Sequence, residues 1–497
     1  RAPTPSEAQT PAADSVRGFA SLVDSVVPAV LDRVGVVPGV ALAVVKGNET
    51  VYAKGFGMAD REAGLSATAE TDFYIASVTK PFTALATAIL DHRGELDLDA
   101  SMARYFPAVE FDPEVHADSV TLRHLLSHTA GIQNDAIVFR TAFSGEHTPE
   151  VLTRVLASTT PQRRARRGNF RYTNLGYNIA SMVLDKETGR RWQDLLRELV
   201  FEPAGLQRTT AYASLPRRDG WPTARPYMGF GPNGLERVYL EKKDNTMQAA
   251  GGLYSTAEDL ARWVIIQLNE GRIDGKQVFP ADLIRETQAL EAETEGSFGP
   301  FGRTGYGLGW YHGTYKGERL MHHFGGFAGA HSHVSFMPDH ALGVVVLVNE
   351  SSAGTRLAGF LAGLAYEWWL GKPNMDSVLT SGLEGLLAEK SRLEERIITG
   401  RANRAKRTWQ LTAPLDAYTG TYVSPLYGTA VVTIEDQRLA VRIGNIHAVS
   451  TPFTQPNTIR VELLPGRGQV VGFELGEDGK AVRARIDDQA VFERVGE

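Results

Sequence analysis

The chain has 497 residues, 43% of them hydrophobic and 22% charged, which allows two to four domains of about 150 residues and excludes global disorder. Its net charge of −6 leaves no electrostatic footprint for nucleic acid. With no cysteine there can be no disulfide, no thiolate nucleophile and no cysteine-bound metal.

Residues 1–15 open on a Pro/Ala/Ser-rich linker, RAPTPSEAQTPAAD, of the kind that follows a removed secretion signal. This predicts a periplasmic or secreted protein, with a trimmed cytosolic chain as the competing reading. From Val16 to Val34 apolar residues recur at helical spacing, and Pro28 is expected to kink or restart that helix. VALAVVKGNETVYAKGF follows as two β-rich runs joined at Gly47-Asn48, a hairpin signal. Ser77 to Leu90 reads as a buried helix, apolar nearly all round.

The stretch from about 100 to 300 reads as short helices and Gly/Pro-rich loops. Near its end Ser255-Thr256 cap a periodic apolar helix with Glu258 and Asp259 in the first turn. Strands return in RTGYGLGWYHG, GERLMHHFG, AHSHVSFMP and ALGVVVLVN, and Leu357–Leu370 closes the unit as a helix. That helix is interrupted by Glu367 and falls short of the roughly 18 residues a membrane span needs, so no span is expected. The pattern predicts an α/β (α+β) unit over 16–372, in which an antiparallel sheet built from both chain ends is flanked by helices and joined to a helical subdomain. Residues 373–413 read as a charged linker. Within it, Ser381–Lys406 suits an exposed helix of roughly 39 Å at about 1.5 Å per residue. From about Pro414 short alternating strands with Glu-Asp-Gly and Pro-Gly turns predict a small all-β, barrel-like domain over 414–497.

Three short motifs stand in order: Ser77-Val78-Thr79-Lys80, Tyr172-Thr173-Asn174 and His323-Phe324-Gly325-Gly326. The first places Lys80 one helical turn from Ser77 on the same face. A free serine is a poor nucleophile near pH 7, and Ser–Lys pairing is one way to remove its proton. Alone, a Ser-x-x-Lys match arises about once by chance in a chain this long, with Ser77 an N-cap and Lys80 a snorkelling surface lysine. The apolar stretch around Lys80 argues that its ammonium has a task.

Taken together, the three motifs resemble those of serine β-lactamases and penicillin-binding proteins. The Tyr-x-Asn form is similar to class C β-lactamases, D-aminopeptidases and related esterases. Further stretches match that family's habit: LRHLLSHTAGI (122–132), FRYTNLGYNIA (170–180), AAGGLYSTAEDLARW (249–263) and FGGFAGAHSHVSFMPDHALGVVVLVN (324–349). The resemblance covers about residues 18–370, and YTGTYVSPLYGTAVVTIEDQRLAV (418–441) resembles the lipocalin-like β-domain appended to some of these hydrolases.

The resemblance implies that Ser77 attacks a carbonyl and forms an acyl-enzyme, with Tyr172 as proton relay. A phenolate at pH 7 costs about 4 kcal/mol unassisted, which an ammonium at Lys80 would reduce. The converse, a neutral Lys80 as base and Tyr172 as shuttle, stays open. Asn174 would hold Lys80 or donate to the substrate. The backbone N–H groups of Ser77 and Gly326 would form an oxyanion hole, each donor worth about 3 kcal/mol, with Gly325 and Gly326 letting the backbone approach closely. Where peptidoglycan enzymes carry lysine in the third motif, this chain has His323, which gives up a permanent cation. This favours ester or neutral amide substrates over a dedicated β-lactamase or D,D-peptidase, with Arg171 or Arg225 as candidate replacements for the missing charge.

Other readings compete. His331, His333, Asp339 and His340 superficially echo a zinc cluster, although the two pairs lie too far apart for a compact motif. A non-catalytic penicillin-recognising sensor is an alternative of another class. No Gly-x-Ser-x-Gly elbow is present. The arginine cluster 163–167 reads as a solvated loop. The expected partner is a small ester, amide or short peptide, with no cofactor, metal, nucleic acid or membrane span. The β-domain is expected to restrict substrate size or support a homo-oligomer, and a chain truncated after about residue 372 to remain able to acylate.

Overall fold

The structure is a computed structural model that describes residues 12–164, 166–231, 233–371, 375–487 and 489–496. Most of the linker expected at 1–15 lies outside the described residues, as do residues 372–374 at the expected boundary of the charged linker.

Helix α1 spans Ala13–Val34 and runs on through Pro28 without a restart. The hairpin expected at Gly47-Asn48 forms between β1 (Gly39–Lys46) and β2 (Glu49–Asp60), with Gly47 supplying the left-handed turn residue at φ 64°. A short β3 (Leu65–Ser66) follows. The remaining strands of the sheet come from far downstream: β4 (Ala292–Phe298), β5 (Phe301–Tyr306), β6 (Tyr311–Tyr315), β7 (Glu318–Phe327), β8 (Ala330–Met337) and β9 (Leu342–Val348). Their order is β4-β5-β6-β7-β8-β9-β1-β2-β3, and every pairing is antiparallel.

The near-continuous apolar runs of β1 and β9 follow from burial on both faces. Val40, Leu42 and Val44 join Phe19, Val23 and Leu357 from α1 and α5 (Gly354–Trp369). On the other face Ala41, Ala43 and Val45 share a core with Phe82 of α2 (Thr79–His92) and Val264 of α4 (Ala257–Leu268). The small alanines there let helix and sheet approach closely. The helical middle adds α3 (Leu175–Thr188), whose N-terminus carries the second motif.

A long helix, Met375–Ala405, leads away from this unit. It is mostly exposed, as expected, but it lies against the body. Leu386 is buried in the α1/α5 core, and Arg401 donates to the carbonyls of Phe230 (2.6 Å) and Gly231 (3.1 Å). The C-terminal region forms a second nine-stranded antiparallel sheet that curls into a nearly closed barrel around Tyr418, Tyr422, Val441 and Phe473. Val238 and Leu240 of the first unit join that core. Polar contacts fix the docking: the Arg140 guanidinium donates to Leu426 O (2.5 Å), Glu146 accepts from the Thr429 N–H (2.8 Å), and the Asn445 N–H donates to Ser144 O (2.9 Å).

Candidate active site

The strand Phe73–Tyr74 leads into a 3-10 turn, Ala76–Val78, that feeds directly into α2. Ala76, just before Ser77, sits at φ 45°, a left-handed conformation an alanine adopts only when its surroundings impose it. Those surroundings are present. The Ile75 N–H donates to Leu253 O (2.9 Å), Ser332 Oγ donates to Ile75 O (2.6 Å), and Gly251 packs against the Ala76 carbonyl carbon. Ser77 therefore projects from a turn clamped on both sides, and no side-chain cap forms at this helix start.

Lys80 is fully buried, which overturns the picture of a snorkelling surface lysine. Its Nζ lies 2.7 Å from Ala250 O, 2.9 Å from Asn174 Oδ1 and 3.2 Å from Ser77 Oγ. The same nitrogen stands 4.7 Å from the centre of the Tyr172 ring and 5.4 Å from that of Tyr177. No carboxylate bridges it among the described residues. Burial accordingly pushes its pKa well below the usual lysine value.

Tyr172 stands beside the Ser77 hydroxyl, which influences its titration, and is stacked among rings, 4.5 Å from His128 and 6.1 Å from Tyr311. Burial first, and the neighbouring Tyr311 second, raise its pKa; the Ser77 hydroxyl and the Arg303 guanidinium offset part of that rise. The residue keeps 37% of its surface open. Asn174 holds Lys80 from the start of α3.

On β7 the roles of the two glycines separate. A Cβ on Gly325 would lie 2.1 Å from Ile75 O and 3.0 Å from the Ser77 nitrogen, so the glycine is demanded by the Ser77 turn pressing on the strand. A Cβ on Gly326 would meet nothing within 4 Å, and Gly326 faces the open cleft. His323 is fully buried; its Nδ1 pairs with Phe324 O (3.0 Å) and its Nε2 with the Tyr306 hydroxyl (3.3 Å). Burial, then the nearby Lys80, pushes its pKa well below the usual value, so the ring is neutral.

Neither arginine expected to replace a third-motif cation is placed to do so. Arg225 is engaged by Asp60 (3.3 Å) and Glu241 (3.1 Å), and Arg171 lines a separate crevice with His128 and Gly131. The cation that does act on the site is Arg303, which no sequence motif marks. Its guanidinium stacks 3.9 Å over Tyr311 and is felt by both Tyr172 and His323. Lys242 is likewise unmarked: it stands 4.0 Å over Phe327 and donates to Ala142 O (2.6 Å), and burial lowers its pKa to about 7. Nothing local in the sequence marks either residue.

The histidines of the metal reading are otherwise engaged. His331 pairs with Thr355 (3.2 Å), His333 with Ser335 (2.6 Å) and His340 with Glu318 (2.8 Å), while Asp339 bridges Arg319 (2.8 Å). Four members of the arginine cluster, Arg163, Arg164, Arg166 and Arg167, are exposed or half-exposed.

Ser77, Asn174, Gln248 and Gly326 line a cleft of about 460 Å³ whose opposite wall is built by Leu464, Pro465 and Arg467 of the barrel. A larger cleft, about 730 Å³, lies between α5 and the long helix and does not include Ser77.

Residues 27–367 match the sequence model of the Beta-lactamase family. The chain is 23% identical over 332 residues to protein flp of Staphylococcus aureus (strain MW2), covering 66% of this chain and 63% of that protein. It therefore spans less than two thirds of that relative's length. It is 25% identical over 447 residues to the unguisins hydrolase ungD' of Aspergillus campestris, covering 83% of this chain and 77% of that one. Among solved structures, the octameric penicillin-binding protein homologue from Pyrococcus abyssi superposes with a TM-score of 0.60 at 22% identity, over 95% of this chain and 99% of that one. The D-amino acid amidase from Ochrobactrum anthropi SV3 gives a TM-score of 0.56 at 21% identity, over 75% and 99%. At these identities the two structures speak for the fold.

Proposed function

The chain belongs to the Beta-lactamase family, and on that premise we propose that it is a serine hydrolase that cleaves esters or amides through an acyl-enzyme on Ser77. In this reading residues 16–372 are the catalytic unit, 373–413 the link and 414–497 an accessory barrel. The observation that carries the reading is the hydrogen-bond set of Lys80. Ala250 O and Asn174 Oδ1 can only accept, so each takes one N–H of the amine. A neutral amine then has one lone pair left, and Ser77 Oγ stands 3.2 Å away to fill it with its proton. Burial without a carboxylate favours that neutral state. Of the two assignments left open by the sequence, the electrostatics support Lys80 as base and a protonated Tyr172 as shuttle.

Ser77 Oγ bonds to the substrate carbonyl carbon while its proton passes to Lys80 Nζ. The carbonyl π pair moves onto oxygen, where the N–H groups of Ser77 and Gly326 hold it. As the tetrahedral species collapses, the bond to the leaving oxygen or nitrogen breaks, and that atom takes the proton from Lys80 by way of the Tyr172 hydroxyl. Water then attacks the acyl-serine along the same path, giving the acid and restoring Ser77. His323 is neutral, so the third motif itself offers no fixed charge for a substrate carboxylate, which supports esters and small amides over β-lactams. The octameric relative supports a homo-oligomer as the working state.

The test is labelling with a fluorophosphonate followed by peptide mapping, beside a screen of nitrophenyl esters, D- and L-aminoacyl amides and a chromogenic cephalosporin. The adduct is expected on Ser77 alone and activity is expected to vanish in Ser77→Ala. An adduct on another serine, or undiminished activity in that variant, rules the reading out.

A further inference from the structure

The cleft at Ser77 is closed on one side by a barrel hairpin. Its strands, Thr458–Leu464 and Arg467–Leu475, meet in a two-residue Pro465-Gly466 turn, with Leu464 paired to Arg467 and Gly466 at φ 74°. Proline sets the first turn position and glycine accepts the left-handed second one, so the tip is stiff. The catalytic body holds it from outside: the Tyr239 hydroxyl donates to the carbonyls of Leu463 and Glu462 (3.2 Å to Glu462).

Arg467 is the sole charged side chain among the described residues that line this cleft, and the lining includes no aspartate or glutamate. Among the described residues it forms no ion pair and no side-chain hydrogen bond. Neighbouring charges are committed elsewhere: Glu462 bridges Arg460 (2.6 Å), and Arg483 bridges Glu474 (2.8 Å) and Glu493 (2.7 Å). The exposed Arg467 side chain lines the same cleft as Ser77, Leu464, Phe143 and Phe327, and an unpaired guanidinium in that place can receive a planar anion through two parallel hydrogen bonds. We propose that Arg467 is a specificity-determining residue that binds a carboxylate on the substrate, so that the preferred substrates are esters or amides carrying a free carboxylate remote from the scissile bond. The inference rests on Ser77 being the nucleophile. It places the missing cation outside the three motifs, on the barrel and beyond the residues that match the family.

The experiment uses the full-length chain and matched substrate pairs. In one series the acyl side varies: nitrophenyl monoesters of succinate, glutarate and adipate against their methyl-capped counterparts. In the other the carboxylate sits on the leaving group: 4-carboxyphenyl acetate against phenyl acetate. For at least one pair the unmodified protein is expected to favour the acid in kcat/KM by about ten- to a hundred-fold, mainly through KM and less so at high salt. Arg467→Gln should abolish that preference, Arg467→Glu should invert it and Arg467→Lys should retain part of it. Each acid is measured against its neutral partner in the same variant, and all three variants should melt within a few degrees of the unmodified protein, as the side chain makes no internal bond whose loss would disturb folding. The inference is overturned by a protein that hydrolyses the neutral esters through Ser77 yet shows no acid preference in any pair, or whose preference survives in Arg467→Gln and Arg467→Glu. Failure to hydrolyse any ester, with no label on Ser77, would overturn the serine-hydrolase reading itself.

Discussion

Replacing Lys80 by methionine keeps the length and volume of the buried chain while removing its lone pair. The proton acceptor 3.2 Å from Ser77 Oγ is lost, and general-base assistance of this kind accounts for about 10²- to 10⁴-fold in rate. Two opposed changes bear on stability. Ala250 O and Asn174 Oδ1 each lose a donor at about 1–3 kcal/mol, while a desolvated amine disappears from the core. The variant is therefore expected to fold and to lose rate. The pH profile gives the sharper assay. Lys80 must be neutral to act, and its pKa lies well below the usual value, so kcat/KM should rise with pH through that depressed pKa. Tyr172 must be protonated, and its pKa is raised, so the alkaline fall should lie above the usual tyrosine range. In Lys80→Met the acid limb should vanish and a flat, low rate remain. Tyr172→Phe should also lose most of kcat, and the double variant little more, as both residues serve one proton path. If the acid limb persists in Lys80→Met but vanishes in Tyr172→Phe, the base is a tyrosine phenolate and the assignment is wrong.

Two further outcomes follow from the same geometry. Gly325→Ala should cost both stability and activity, because its Cβ meets Ile75 O at 2.1 Å, whereas Gly326→Ala should fold normally and lose turnover first on the bulkiest esters; comparable melting temperatures for the two variants would refute this. Lys242 has a folded pKa of about 7 against an ordinary 10.5, so its contribution is most favourable above pH 10.5 and is lost as pH falls towards 7. The melting temperature of the unmodified protein relative to Lys242→Met should accordingly drop between pH 10 and pH 7, and a constant difference over that window would contradict the burial argument.

What the sequence discloses of this site is what lies close along the chain or repeats a pattern. Ser77 and Lys80 are one turn apart, and the helix that carries them is apolar enough to imply a buried lysine. The alternation and turns of the last 80 or so residues announce strands, and the two chain ends share one sheet because both carry runs too apolar for a solvent face. Residues that meet only through tertiary structure stay hidden. Arg303 reaches Tyr172 across β5 and β6, and its own neighbours in sequence, Gly302 and Thr304, say nothing of an aromatic partner. Gly325 and Gly326 look equivalent in sequence; only the approach of Ile75 to one of them separates packing from openness. Pro28 carries a breaker signal, but burial of Phe19, Val23, Val27, Val30 and Val34 along one face holds the helix together through it.

The position of the barrel changes how its contribution has to be tested. Read from sequence, it is a module on a long helical tether, and cutting the chain after residue 372 should spare the chemistry. In the folded protein it covers Val238 and Leu240, packs Tyr427 against Phe139, and receives the buried guanidinium of Arg140 on Leu426 O and Pro425 O. Removing it would expose those apolar side chains and strip acceptors from a buried cation, a combination that costs several kcal/mol before any effect on substrate is felt. Loss of activity in the truncated chain would thus mix unfolding with loss of the cleft wall. Point changes at the hairpin tip avoid the confusion, because Arg467 faces the cleft without supporting the interface. A domain that docks on Val238, Leu240 and Arg140 and lines the cleft with Leu464, Pro465 and Arg467 would, on this proposal, alter what is accepted by varying the second set alone, leaving Ser77, Lys80 and Tyr172 untouched.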